Sequence, residues 1–145
     1  MSATNPTDSS EAEVRDLVER FTDQAWNKGD LDLIDELFAE DYVGHDAPRP
    51  EPVRGPEGMK DFLRMYHRAF SDAEITLDDV IISGDRVVTR WTGRGTHDGD
   101  LMGIPASGKA VAFTGIRIFR VADGKIAEGW VVWDTFGLMR QIGQS

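Results

Sequence analysis

An aspartate set among apolar residues can hold a raised pKa and take a proton from a carbon beside a carbonyl near neutral pH. Asp134 fits that description, because it follows Trp130, Val131, Val132 and Trp133 at the junction between an extended segment and a tail with helical spacing. The same junction invites a second role, since an aspartate there also N-caps the helix that follows. Arg117 lies in an apolar strand pattern and carries the charge to hold an oxygen as negative charge develops on it. An ion pair with Glu128 or Asp134 would occupy it equally well. His45 sits in an extended segment and His97 ends one, and at either an imidazole can position or protonate a carbonyl; backbone hydrogen bonding alone would also account for each. His67 falls off the apolar stripe of its helix, beside Lys60, Arg64 and Arg68, and reads as a solvated surface residue.

Some chemistry is ruled out. The chain has no cysteine, which excludes thiol nucleophiles, disulfides and thiolate metal sites, and its 3 histidines keep no metal-ligand spacing, so no metal is expected. The Gly-rich linker 98–108 contains Gly-x-Pro but no Gly-Lys-Ser/Thr, so it reads as a mobile rim over a cavity mouth and not as a phosphate cradle. Phe21, Phe38, Tyr42, Met65, Trp91, Met102, Phe113 and Trp130 have the size and stacking surface to line a site for a flat apolar ligand, although such residues also build cores.

These residues must be positioned by one modest domain. A chain of 145 residues buries enough surface to need no staple, and residues 11–145 read as a single domain after a small, polar tail at 1–10. The net charge of −10 repels phosphate backbones and anionic lipids, which argues against nucleic-acid or membrane partners. No apolar run approaches the roughly 20 residues that cross a bilayer, and the N-terminus lacks a signal-peptide pattern, so a cytoplasmic location is expected.

The periodicities give the elements. Ser10-Glu-Ala-Glu13 has capping-box spacing, and Val14, Leu17, Val18, Phe21 and Ala25 then recur as on one helix face, ending near Gly29. A short second helix runs from an Asp30 cap through Leu33, Ile34, Leu37 and Phe38. Residues 41–47 read as extended, and Pro48, Pro50, Pro52 and Gly55 forbid regular structure before a third helix that opens at Pro56 and carries Met59, Phe62, Leu63, Tyr66 and Phe70. Period-two segments at 74–82, 86–97, 109–121 and 125–134 meet at turn residues, Asp123-Gly124 being the strongest hairpin signal, and a helical tail follows. The plan is α+β, order α-α-β-α-β-β-β-β plus a C-terminal helix, with a curved antiparallel sheet folded over helices and a pocket at its open end.

In its simplest register the Asp123-Gly124 hairpin sets Asp134 opposite Phe113, Val132 opposite Gly115 and Trp130 opposite Arg117. The other face would then carry Ala112, Ile116, Ile118, Val131 and Trp133. With both faces apolar, the sheet should be covered on both sides by helices and an oligomer partner, making a homo-oligomer, dimer or tetramer, the expectation.

Three stretches carry a resemblance: GTHDGDLMGIPASGKAV (95–111), IFRVADGKIAEGW (118–130) and VVWDTFGLMRQIG (131–143). Together with the helix-rich start they resemble the SnoaL-like polyketide cyclase group of the NTF2-like fold, over roughly residues 12–143. The resemblance implies a cone-shaped α+β barrel with a deep apolar cavity, commonly a homo-oligomer. It also implies intramolecular aldol closure of a polyketide ring by an Asp acid/base, without metal or organic cofactor, with Asp134 at the position of that Asp. The ligand implied is an apolar small molecule. Two relatives on the same fold fit less well: neither Tyr42 nor Tyr66 lies on the first helix, where a ketosteroid-isomerase-like site has its phenol, and no Arg-x-Asp of the limonene epoxide hydrolase kind occurs. The reading from another class is a non-catalytic NTF2-like protein that binds an apolar ligand.

Overall fold

The computed structural model describes residues 6–47 and 49–143, with side chains from Glu11 onward. Helix α1 (Pro6–Arg20) begins upstream of the expected Ser10 cap; residues 1–5 of the expected tail lie outside the described residues. The apolar stripe Val14, Leu17, Val18 and Phe21 is buried, as its spacing requires. At Phe21–Trp26 the helix widens into a π-helical turn whose Phe21, Thr22, Ala25 and Trp26 all face inward, the kind of local widening that often marks a functional site. Gly29, at φ +72°, ends the turn.

Helix α2 (Leu33–Leu37) is followed directly by strand β1 (Phe38–Asp46), so Phe38 opens a strand where the spacing placed it in the helix. The proline-rich stretch is not wholly irregular, because it ends in the two-residue strand β2 (Val53–Arg54), paired with Val43 and Gly44. Then come α3 (Gly55–Ala69), β3 (Glu74–Ser83), β4 (Arg86–Thr96), β5 (Ala110–Ala122), β6 (Lys125–Trp133) and α4 (Thr135–Gln141).

The sheet order is β2-β1-β6-β5-β4-β3. Strands β3 to β6 form the antiparallel meander that the hairpin signals indicate, but β1 lies parallel to β6, so the sheet is mixed and not wholly antiparallel. Local periodicity carries no information on strand direction when α3 and four strands separate the two partners.

A second correction concerns register. At the Asp123-Gly124 turn the simple pairing holds, with Ala122 opposite Lys125 and Val121 opposite Ile126. A bulge between Arg120 and Val121 then shifts it, and Arg117 faces Val131 while Gly115 faces Trp133. One extra residue on β6 turns over every side chain beyond it. Val131 and Trp133 therefore point to the helix-covered inner face, and Trp130 and Val132 to the outer one, opposite Ile118 and Ile116. Phe21, Phe38 and Phe119 meet edge to face at 5.2 to 5.8 Å and lock α1, β1 and β5 into one core.

Candidate active site

Between the helices and the inner face of the sheet lies a cavity of roughly 700 Å³, its mouth included. The π-helical turn supplies Phe21, Thr22 and Trp26, α3 supplies Phe62 and Tyr66, and the strands supply Trp91, Phe113, Arg117, Phe119 and Trp133. Gly115 makes room for this wall, since a Cβ there would stand 2.3 Å from Trp91 Cζ2. A smaller cavity shares Phe62, Arg117 and Phe119 with the first and adds Tyr42, His45, Asp46 and Trp130.

Arg117 is the cation common to both. Strand parity turns it inward beside Thr89 and Val131, where it is 9% exposed. Its guanidinium carbon stands 5.6 Å from the Phe21 ring centre and 5.3 Å from that of Phe119. Among the described residues no ion pair includes it: Glu128, its expected partner, is taken by His45 at 3.0 Å and Arg120 at 3.4 Å. Burial lowers the pKa of Arg117, and nearby Tyr42, Asp46 and Tyr66 pull it back up. Burial also pushes the Tyr42 phenol up to about 12, against the charge of Arg117, and raises that of Tyr66. The Tyr66 hydroxyl is buried without a hydrogen-bond partner.

The last residue of β1 completes the group. Asp46 is 5% exposed, its Oδ1 accepts from Trp133 Nε1 at 3.2 Å, and its Oδ2 is buried without a partner. Burial raises its pKa, and the Trp133 bond and the charges of Arg117 and Arg49 oppose the rise.

The residues singled out in the sequence divide. Arg117, Phe21, Trp91 and Phe113 line the larger cavity, and Tyr42, His45 and Trp130 the smaller. His45 is half-exposed, bonded to Glu128 and stacked on Trp130 at 5.7 Å. Asp134 lies outside both cavities; it is exposed, and its Oδ1 accepts from Gly137 N at 2.8 Å, so it N-caps α4. Phe38 is core, Met65 packs against the core, and Met102 is 47% exposed. His97 is fully buried behind Phe70, 5.6 Å ring to ring, with Ser107 Oγ 2.9 Å from Nδ1 and an unpartnered Nε2. His67 is not a solvated residue: its Nε2 meets the Trp26 carbonyl oxygen at 2.8 Å and ties α3 to the π-helical turn.

The linker 98–108 lines neither cavity. It is anchored, with Leu101 fully buried, Asp98 bonded to Ser71 and His97 bonded to Ser107. Asp46 and Tyr66 escaped the sequence reading of the site. Parity along β1, which puts Tyr42, Gly44 and Asp46 on one face and His45 on the other, was the signal that could have found Asp46.

Helices packed over one face of a mixed sheet, closing on a largely apolar cavity with a buried cation, make an NTF2-like fold. The chain belongs to the SnoaL-like polyketide cyclase family, whose model matches residues 16–142. It is 32% identical over 132 residues to the aklanonic acid methyl ester cyclase DauD of Streptomyces sp. (strain C5), covering 89% of this chain and 81% of that protein. It is 28% identical over 121 residues to the nogalonic acid methyl ester cyclase of Streptomyces nogalater, covering 82% and 90%. In three dimensions it resembles TsrD from Streptomyces laurentii, with a TM-score of 0.84 and 37% identity over 92% of this chain and 97% of that one. No described helix is long and apolar enough to cross a membrane.

Proposed function

We propose that this protein is an ester cyclase acting on a polyketide-like substrate, removing a proton α to a carbonyl and closing a ring by intramolecular aldol addition. The observation that carries this reading is the Arg117 guanidinium, free of any ion pair among the described residues and the one buried cation in the wall of a largely aromatic and aliphatic cavity, whose other arginine, Arg94, is exposed. A buried cation costs free energy unless something compensates it, and an enolate oxygen does so at the moment it forms. The apolar walls fold the chain of the substrate and exclude water, converting an intermolecular encounter into an oriented one. Kinship with the aklanonic and nogalonic acid methyl ester cyclases supports the substrate class. Of the four residues assigned chemistry from sequence, Arg117 is the one lining the larger cavity, and it takes the role of oxygen-charge stabiliser.

The test is to incubate the protein with aklanonic and nogalonic acid methyl esters and follow the ester and its cyclised isomer of equal mass by chromatography. Turnover is expected with at least one ester, and Arg117→Met should lower kcat by roughly 10²–10³-fold while the ester still binds. A second reading, an apolar-ligand carrier without catalysis, is favoured by the exposed, helix-capping state of Asp134. Tight binding of both esters with no isomer formed would establish that reading instead.

A further inference from the structure

We infer that Asp46 is the carboxylate that takes the substrate proton in this site and returns it after the ring has closed. This rests on the proposed function, since it names the base for that reaction. Asp46 is the one buried carboxylate among the described residues. Native proteins bond nearly all their buried polar atoms, so an orphaned carboxylate oxygen calls for an explanation. Here Oδ2 has no partner while Oδ1 is held by Trp133, whose ring lines the larger cavity. The indole fixes the carboxylate's orientation and leaves its other oxygen free to accept.

Its surroundings fit the step. Arg117 lies in the walls of both cavities and Asp46 in the smaller, with no ion pair between them. The two opposite charges perturb one another without pairing and both line the smaller cavity, so an enolisable carbonyl entering there would meet both. The C–H proton passes to Asp46 Oδ2, and the electron pair moves onto the carbonyl oxygen, facing Arg117. One negative charge thus migrates from carboxylate to enolate, so no new charge is created in a dry site. The enolate carbon then bonds to a second carbonyl carbon, whose oxygen recovers the proton from Asp46, and the carboxylate is regenerated with no atom lost. Tyr66, which lines the larger cavity beside Arg117, keeps a buried hydroxyl without a partner and so has a proton to donate. Burial holds the Asp46 carboxyl above its ordinary range, towards the strength a general base needs. The charged and titratable groups around it are Arg117 on β5, Tyr66 on α3 and Arg49 after β1.

Asp46→Asn is nearly isosteric and keeps an acceptor for the Trp133 indole. Two readouts separate the base assignment from the cyclase reading. In ester turnover, Asp46→Asn should lose roughly 10²–10⁴-fold in kcat, with near-UV dichroism unchanged. In calorimetry with 2-hydroxy-1,4-naphthoquinone, a flat enolate already ionised at neutral pH, heats in buffers of different ionisation enthalpy report proton uptake on binding. The parent protein should take up protons, more at about pH 6 than at about pH 8, because a bound anion raises the carboxyl pKa; Asp46→Asn should take up none. If the ester is cyclised but Asp46→Asn stays within about threefold of the parent, or Asp134→Asn is the variant that abolishes turnover, the assignment to Asp46 is overturned and the cyclase reading stands. If no ester is cyclised while uptake depends on Asp46, the cyclase reading fails and Asp46 remains the proton acceptor of the site. Uptake that persists in Asp46→Asn, or no uptake at all, overturns the assignment whatever the turnover. Should Asp46→Asn misfold, Trp133→Phe takes its place: freeing Oδ1 should shift the acid limb of the kcat profile to higher pH, and an unmoved limb counts against Asp46.

Discussion

Two neighbouring parallel strands, β1 and β6, each hand over to the next element at an aspartate, and the two carboxylates meet opposite conditions. Asp46 closes β1 on the inner face, buried and half-bonded; Asp134 follows β6 in solvent with its carboxylate engaged as the α4 cap. The apolar run before Asp134 is the environment of Asp46 instead: Val131 is its cross-strand neighbour and Trp133 its hydrogen-bond donor. A carboxylate's chemistry follows the residues around it in space, and a strand that alternates faces sends the apolar neighbours of one aspartate to desolvate another.

The sharpest stability test of this contrast is Trp133→Phe, which removes the donor to Asp46 Oδ1 and leaves both carboxylate oxygens buried without a partner. A loss of about 1–3 kcal/mol in urea unfolding is expected, shrinking when Asp46 is also replaced by Leu. Asp134→Ala should lose about 1 kcal/mol by removing the cap, and Asp134→Ser should restore most of it; no recovery with serine would mean that Asp134 acts through something other than capping.

A smaller effect separates the two by pH. The Asp46 carboxyl is raised in the fold by burial, so its contribution to stability is complete below the ordinary carboxylate range and is lost as pH rises through the raised value. Asp46→Asn therefore matches the parent at low pH and becomes the more stable of the two as pH rises towards neutrality, read as Tm across a pH series. Parallel Tm curves for the two proteins would show Asp46 to be an ordinary carboxylate. Asp98 supplies the opposite sign and the smallest shift. The Ser71 hydroxyl and amide hold its carboxyl below the usual range, so the stability it contributes is present above that range and lost as pH falls through the depressed value. Ser71→Ala should therefore lower Tm slightly at pH 7, and the difference from the parent should fade as pH falls through the depressed value.

Much of the architecture was legible along the chain. The stripe Val14, Leu17, Val18, Phe21 marked a helix face and is buried, and Asp123-Gly124 marked a hairpin that forms. Arg117 was legible as a charge inside a strand. The bulge at Arg120–Val121 was not, because one extra residue leaves the apolar count of β6 unchanged while reversing which of Trp130 and Trp133 points inward. Asp46 was missed for a related reason, since its apolar neighbours come from β6, α3 and β5 and not from its own segment.

What the sequence alone determined is everything that local period and turn chemistry encode: helix faces, strand positions, hairpin turns and the kinship that points to a cyclase fold. Only the tertiary structure decided that β1 lies parallel to β6, that the bulged register turns Trp133 inward, and that these together bury Asp46 near Arg117 and leave Asp134 in water. Burial and electrostatics depend on distances between residues far apart in the chain, and those distances exist only once the sheet has closed over the helices.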